Sequence, residues 1–216
     1  MKPLTTTSYA ILSLLAIRSW SGYELTREMD RSAGQFWPRA KRRVYDEPPN
    51  LVLHGFATAA AEQVGARPRT VYTITPEGRE ALRAWLATPL VEPNRLESEA
   101  IMRVAFAENG SVENLRATLA ALRVQVVDHL EYRHGVVAEY AEGRGRYPDR
   151  AHLNALITRY FTDLFEMTLN WVDWAEEQIR DWEDCAKPID PEVARAIFAE
   201  VTQRLAALVA LNVRSS

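Results

Sequence analysis

Residues 65–78, Gly-Ala-Arg-Pro-Arg-Thr-Val-Tyr-Thr-Ile-Thr-Pro-Glu-Gly, decide the fold. Thr70 to Ile74 is a clear strand by composition, rich in β-branched and aromatic residues. Residues 65–69 before it are turn chemistry, and Phe56 to Gln63 on the far side of that turn reads as a weaker, alanine-rich strand. The pair makes a β-hairpin with Arg67 and Arg69 at its tip. Thr75-Pro76-Glu77 then restarts a helix with an N-cap, a proline where no amide donor is needed and an acid in the first turn. That helix carries Leu82, Trp85 and Leu86 and ends before Pro89.

Upstream lie the elements that such a hairpin would flank. Thr5 to Ile17 carries Tyr9, Leu12, Leu15 and Ala16 at helical spacing, with Ile11, Leu14 and Ile17 broadening the apolar surface until the helix is nearly surrounded. Ser21 is an N-cap with Glu24 three positions on to close a capping box, and Trp20 is placed to staple against Leu25. The second helix is predicted to run to about Ser32, with Gly34 as its stop. Two helices joined by a few residues form the first part of a helix-turn-helix.

The segment that follows carries the charge. Arg39-Ala40-Lys41-Arg42-Arg43-Val44-Tyr45 holds four cations in five positions and then an aromatic. A helix beginning there points cations toward a polyanion, whereas a short charge run taken alone is as readily a solvated face. Pro48-Pro49 forbids an uninterrupted helix, because each proline removes a donor and clashes with the carbonyl four residues back. The helix must break, kink or restart, and a second piece through Asn50 to His54, stopped at Gly55, is the natural restart.

The 216-residue chain is 47% hydrophobic, enough for one large core or two small ones. Its net charge of −3 conceals an asymmetry: through Leu90 there are twelve Lys/Arg and eight Asp/Glu, and beyond it fourteen and twenty-one. A basic front joined to an acidic back fits a polyanion binder carried on a non-binding partner domain. A single cysteine, Cys185, rules out an intramolecular disulfide framework. No apolar run approaches the roughly 18 residues needed to span a bilayer, so a cytoplasmic protein without membrane contact is expected.

The proline-containing stretch from Pro89 to Asn94 is the expected boundary between residues 1–90 and residues 91–216. Beyond it the pattern is almost wholly helical. A short helix spans Glu97 to Phe106. Ser111 caps a long one with Leu115, Leu119, Leu122 and Val126 in a coiled-coil-like seam that stops at Gly143-Arg144-Gly145. Pro148-Asp149 opens another long helix reaching Ile179 and Trp182, and Asp190-Pro191 caps a last helix with Val193, Ile197, Val201, Leu205 and Leu208. The expected fold class is therefore mainly α with a small β-hairpin: a winged helix-turn-helix, then an antiparallel long-helix dimerisation domain. Broad apolar stripes on these helices exceed what one chain can bury, and a symmetric homodimer would cover them.

Leu12 to Leu25, Gly34 to Pro38, Val44-Tyr45, His54-Gly55-Phe56 and Arg67 to Gly78 together resemble the PadR family of bacterial transcriptional regulators, closely over about the first ninety residues. The later helices resemble that family's helical C-terminal domain by pattern. The resemblance implies a homodimer that binds double-stranded DNA at an inverted-repeat operator, represses a neighbouring gene and is released by a small hydrophobic or aromatic effector. It also implies that the helix bearing Tyr45 enters the major groove and that Arg67 and Arg69 lie on the wing. Lys41, Arg42 and Arg43 replace smaller or polar residues, and Pro48-Pro49 falls where many members carry a continuous helix.

The candidate DNA-binding residues are thus Lys41, Arg42, Arg43, Tyr45, Arg67 and Arg69. Trp171, Trp174 and Trp182 have the spacing of helix packing, and no effector residue is assigned. No catalytic residue, metal ligand or cofactor is expected: the histidines lack clustered partners at ligand spacing, and no Gly-rich phosphate loop follows a strand. The competing reading is a winged-helix protein-interaction module without DNA readout, which would have no need of five cations on one face.

Overall fold

The computed structural model describes residues 4–32, 37, 43–64, 67–90, 97–187 and 190–213. The chain forms two compact units, Met1–Asn94 and Arg95–Ser216. In the first, α1 (Thr6–Ile17) leads through β1 (Trp20–Ser21) into α2 (Gly22–Arg31); α3 (Glu47–Leu53), the hairpin β2 (Ala57–Val64) and β3 (Arg67–Ile74), and α4 (Pro76–Ala87) follow. The sheet order is β1-β3-β2, all antiparallel. Helix α1 packs against α2, α3, α4 and β3, and its Ile11, Leu12 and Leu15 are fully buried, as are Leu25, Met29 and Leu51.

Local sequence sets each start. Thr5 and Ser8 exchange bonds in a capping box at α1, Ser21 and Glu24 do the same at α2, and the Thr75 hydroxyl accepts from the Gly78 amide at α4. The carbonyls left over at the end of α1 are taken by tertiary donors: Trp20 Nε1 donates to the Leu14 carbonyl at 2.7 Å, and Arg79 donates to that of Ala16. Burying the Trp20 ring with its N–H satisfied is what lets the chain reverse directly from α1 into α2.

In this first unit two details of the wing differ from the sequence reading. The wing has a third strand, because Trp20 and Ser21 pair with Tyr72 and Val71. The hairpin is also longer: β3 starts at Arg67, so Arg69 sits within the strand opposite Glu62 rather than at the tip.

The second unit contains α5 (Glu99–Ala105), α6 (Val112–Ala141), α7 (Ala151–Gln178) and α8 (Pro191–Val213). Leu115, Leu119, Val172, Ala175 and Ile179 form its buried cluster, with Trp171, Trp182 and Cys185 packed against it. Helix α7 ends at Gln178, so Ile179 and Trp182 lie beyond it, contrary to the run expected from periodicity. The cause is tertiary: the Arg116 guanidinium on α6 donates to the carbonyls of Ile179, Arg180 and Trp182 and stabilises the unwound turn. Arg123 on α6 clamps Asp173 and Glu176 on α7, both at 2.6 Å. On α8, Ile197 is half-buried, whereas Phe198, Leu205, Leu208 and Val209 are exposed. Among the described residues no helix is long and apolar enough to cross a membrane.

Candidate nucleic-acid interface

The segment between α2 and the wing answers the question that Pro48-Pro49 poses. Arg43 is helical, a turn follows through Val44, Tyr45 and Asp46, and α3 begins afresh at Glu47. Both prolines fall in the first turn of α3, where amides have no intrahelical acceptor and their absence costs no bond. Pro48 and Leu51 are buried. The Ser8 hydroxyl on α1 donates to the Glu47 carboxylate at 2.5 Å, which fixes the start of the short helix against the domain. The far end is equally determined: Gly55 adopts φ +79°, and its carbonyl accepts from the Thr75 hydroxyl at 2.7 Å.

This geometry separates two adjacent side chains. Val44 is 1% exposed and anchors the turn, while Tyr45 is 64% exposed and projects from it. Arg43 is exposed beside it, its carbonyl accepting from the Asp46 amide. Tyr23, in the first turn of α2, is also exposed, with Arg27 over its ring at 5.8 Å. Lys41 and Arg42 lie outside the described residues, as does the Arg67 side chain. Arg43 and Tyr45 are thus brought together on one turn.

Arg69 is engaged within the domain. Its guanidinium donates to Glu62 at 2.9 Å and lies 3.8 Å from the Glu24 carboxylate. Glu24 in turn accepts from the Ser21 amide and hydroxyl and pairs with Arg18 at 3.4 Å. The Ser21 amide, then its hydroxyl and the Arg18 charge, hold the Glu24 carboxyl below the usual carboxylate range against the opposing effect of burial. Sequence reasoning accounted for Glu24 only as a capping residue; nothing local signals its approach to Arg69.

A small recess of about 80 Å³ lies between α1 and α3, lined by Ser8, Arg43, Glu47, Asn50 and His54 among others. That is well short of the several hundred Å³ of a ligand cleft. In the second unit Trp171 and Trp182 belong to the packed cluster, whereas Trp174 is 43% exposed. Arg133 on α6 stacks over Phe161 at 4.2 Å, and burial pushes its guanidinium pKa down. No group of three His, Cys, Asp or Glu among the described residues is placed to hold a metal ion.

A helix-turn-helix with a three-stranded wing, followed by a long-helix unit, defines the class: a winged-helix regulator. Residues 11–84 match the transcriptional regulator PadR-like family, and residues 97–180 match the virulence activator alpha C-terminal family. Residues 11–84 thus carry a domain of the PadR-like type, the part of the chain in which the likeness to those regulators lies. It is 27% identical over 183 residues to the probable transcriptional regulator Rv1176c of Mycobacterium tuberculosis, covering 80% of this chain and 97% of that protein. It is 31% identical over 99 residues to the negative transcriptional regulator PadR of Bacillus subtilis, covering 45% of this chain and 54% of that protein.

Solved structures of Bacillus subtilis PadR share the fold. The complex with operator DNA has a TM-score of 0.60 at 22% identity, covering 82% of this chain and 98% of that one. The complex with p-coumaric acid has 0.62 at 21%, covering 82% and 100%. The Vibrio cholerae virulence activator AphA matches with a TM-score of 0.54 at 26% identity, over 79% of this chain and 94% of that one.

Proposed function

We propose that this regulator binds double-stranded DNA as a homodimer at an inverted-repeat operator, represses transcription there and is released by a small aromatic or hydrophobic effector. The observation that carries the reading is the turn before α3, where Val44 is buried while Arg43 and Tyr45 on either side of it are exposed. Lys41 and Arg42 extend that cationic surface in sequence, and the wing supplies Arg67. These residues contact phosphates, which sets orientation and salt dependence. The bound p-coumaric acid of the Bacillus subtilis relative supports an effector of aromatic acid type. The protein works in the cytoplasm, without a catalytic role. Domain roles divide between residues 1–90, which bind DNA, and residues 91–216, which dimerise.

The match of residues 97–180 to a family named for a virulence activator favours a second reading for the sign of regulation, in which the same DNA contact activates. The DNA reading is tested by selecting bound duplexes from a random library with the purified protein and measuring their affinity against salt. Replacing Lys41, Arg42 and Arg43 together with Ala weakens binding to all sequences and flattens the log–log salt slope by about 0.9 for each phosphate no longer neutralised. An unchanged affinity and slope in the triple variant would remove this surface from the interface.

A further inference from the structure

The wing is supported unevenly along its length. Strand β1 pairs with β3 only at Val71 and Tyr72. From Thr70 outward the hairpin continues as a two-stranded ribbon, Glu62 opposite Arg69 and Val64 opposite Arg67. Such a ribbon has marginal stability alone and a soft twist. Its angle to the rest of the domain must therefore be set by side chains at the point where β1 ends.

Arg69 stands at that point. It lies on the same face of β3 as Val71, which pairs with Ser21, and α2 begins immediately after Ser21. Its guanidinium donates through Nε and a terminal nitrogen to Glu62 on the facing strand, at 3.3 and 2.9 Å. Its other terminal nitrogen lies 3.8 Å from Glu24 in the first turn of α2, beyond hydrogen-bond reach but within ion-pair range. Glu24 is itself immobilised by two 2.8 Å bonds from Ser21.

We propose that Arg69 is a positioning residue that latches the wing to the N-terminal turn of α2 through Glu62 and Glu24, setting the angle at which the wing meets DNA. This rests on the DNA-binding reading, and it assigns Arg69 a role distinct from phosphate contact. Half-exposed ion pairs contribute little to global stability. What they change here is the spread of wing orientations, and so the cost of ordering the wing on binding. A phosphate ligand would not be held between two carboxylates that repel the same backbone.

The test uses the full-length protein and a duplex recovered from the random library by the wild type. Arg69→Gln, the pair Glu24→Gln with Glu62→Gln, and all three together are compared; glutamine at position 24 retains the capping acceptor. The latch predicts that Arg69→Gln and the double variant each weaken specific binding about threefold to tenfold, that combining them adds nothing further, and that the salt slope is unchanged. A phosphate ligand predicts the opposite: the slope falls by about 0.9 in Arg69→Gln, and the Glu→Gln pair tightens binding. That pattern, or unaltered binding in all three variants, overturns the latch.

Hydrogen exchange on DNA-free protein supplies an independent reading. Amides of Glu62, Gln63, Arg69 and Thr70 exchange about threefold to tenfold faster in each variant, while those of residues 71–74 keep their rate. Equal rates throughout would also overturn the proposal. A wild-type protein that selects no duplex refutes the regulator reading, and the exchange data still decide the latch.

Discussion

Replacing Gly78 with alanine places a methyl group 2.1 Å from the Phe56 carbonyl oxygen and 2.9 Å from Cγ1 of Ile74. A carbon and a carbonyl oxygen need more than about 3 Å, so the backbones must separate by about 1 Å. Neither side yields freely. Phe56 is held by its amide bond to the Leu51 carbonyl at 2.9 Å, and its own carbonyl accepts from Thr75 at 3.1 Å. On the other side the Gly78 amide is the donor to the Thr75 cap. Overpacking of this kind costs about 1–3 kcal/mol, and loosening the cap and the Thr75 bond adds about 1 kcal/mol each. Alanine's helical preference returns at most about 1 kcal/mol.

The net expectation is a loss of about 2–4 kcal/mol, and a fall of at least about 8 °C in the unfolding of the N-terminal unit. Calorimetry of the full chain reads it directly. Gly135→Ala is the control: that position lies inside α6 with nothing within 4 Å of the added methyl, so it gains about 0.5–1 kcal/mol. Gly78→Ala behaving like the control, or changing stability by less than about 0.5 kcal/mol, would refute the argument.

Glu24 gives a pH prediction. Its folded-state pKa is depressed, so its stabilisation is fully present above the unfolded carboxylate pKa and is lost as pH falls through the folded one. The stability difference between wild type and Glu24→Gln, from urea unfolding, is therefore constant around neutrality and shrinks on acidification through the carboxylate range; a difference that grew instead would reverse the sign of the linkage. The exposed apolar residues of α8, Phe198, Leu205, Leu208 and Val209, lead to the expectation of about twice 24.5 kDa by light scattering at micromolar concentration. A stable monomer would show that these side chains do not meet a second copy.

Much of the fold was legible because its signals are local. The capping box at Ser21-Glu24, the Thr75 cap on the Gly78 amide and the glycine stop at Gly55 involve partners three or four residues apart, so their spacing in sequence is their spacing in space. Pro48-Pro49 was legible in the same way: a proline pair tolerates one position in a helix, the first turn, and α3 begins there. The functional surface was legible only as composition. That Val44 turns inward and Tyr45 outward depends on the core around α1, which no window of adjacent residues contains.

Sequence by itself therefore determined the element types, their caps and the family resemblance, all set by backbone geometry and short-range bonding. Tertiary structure decided what depends on residues remote in the chain. Two residues, Trp20 and Ser21, become a strand because Tyr72 and Val71 lie beside them. Helix α7 ends where Arg116, more than sixty residues earlier, offers its guanidinium to the carbonyls of the turn. Arg69, a wing arginine by sequence, stands between Glu62 and Glu24 because the end of β1 brings α2 to it. In each case the deciding interaction is a bond between groups that only the folded chain brings within reach.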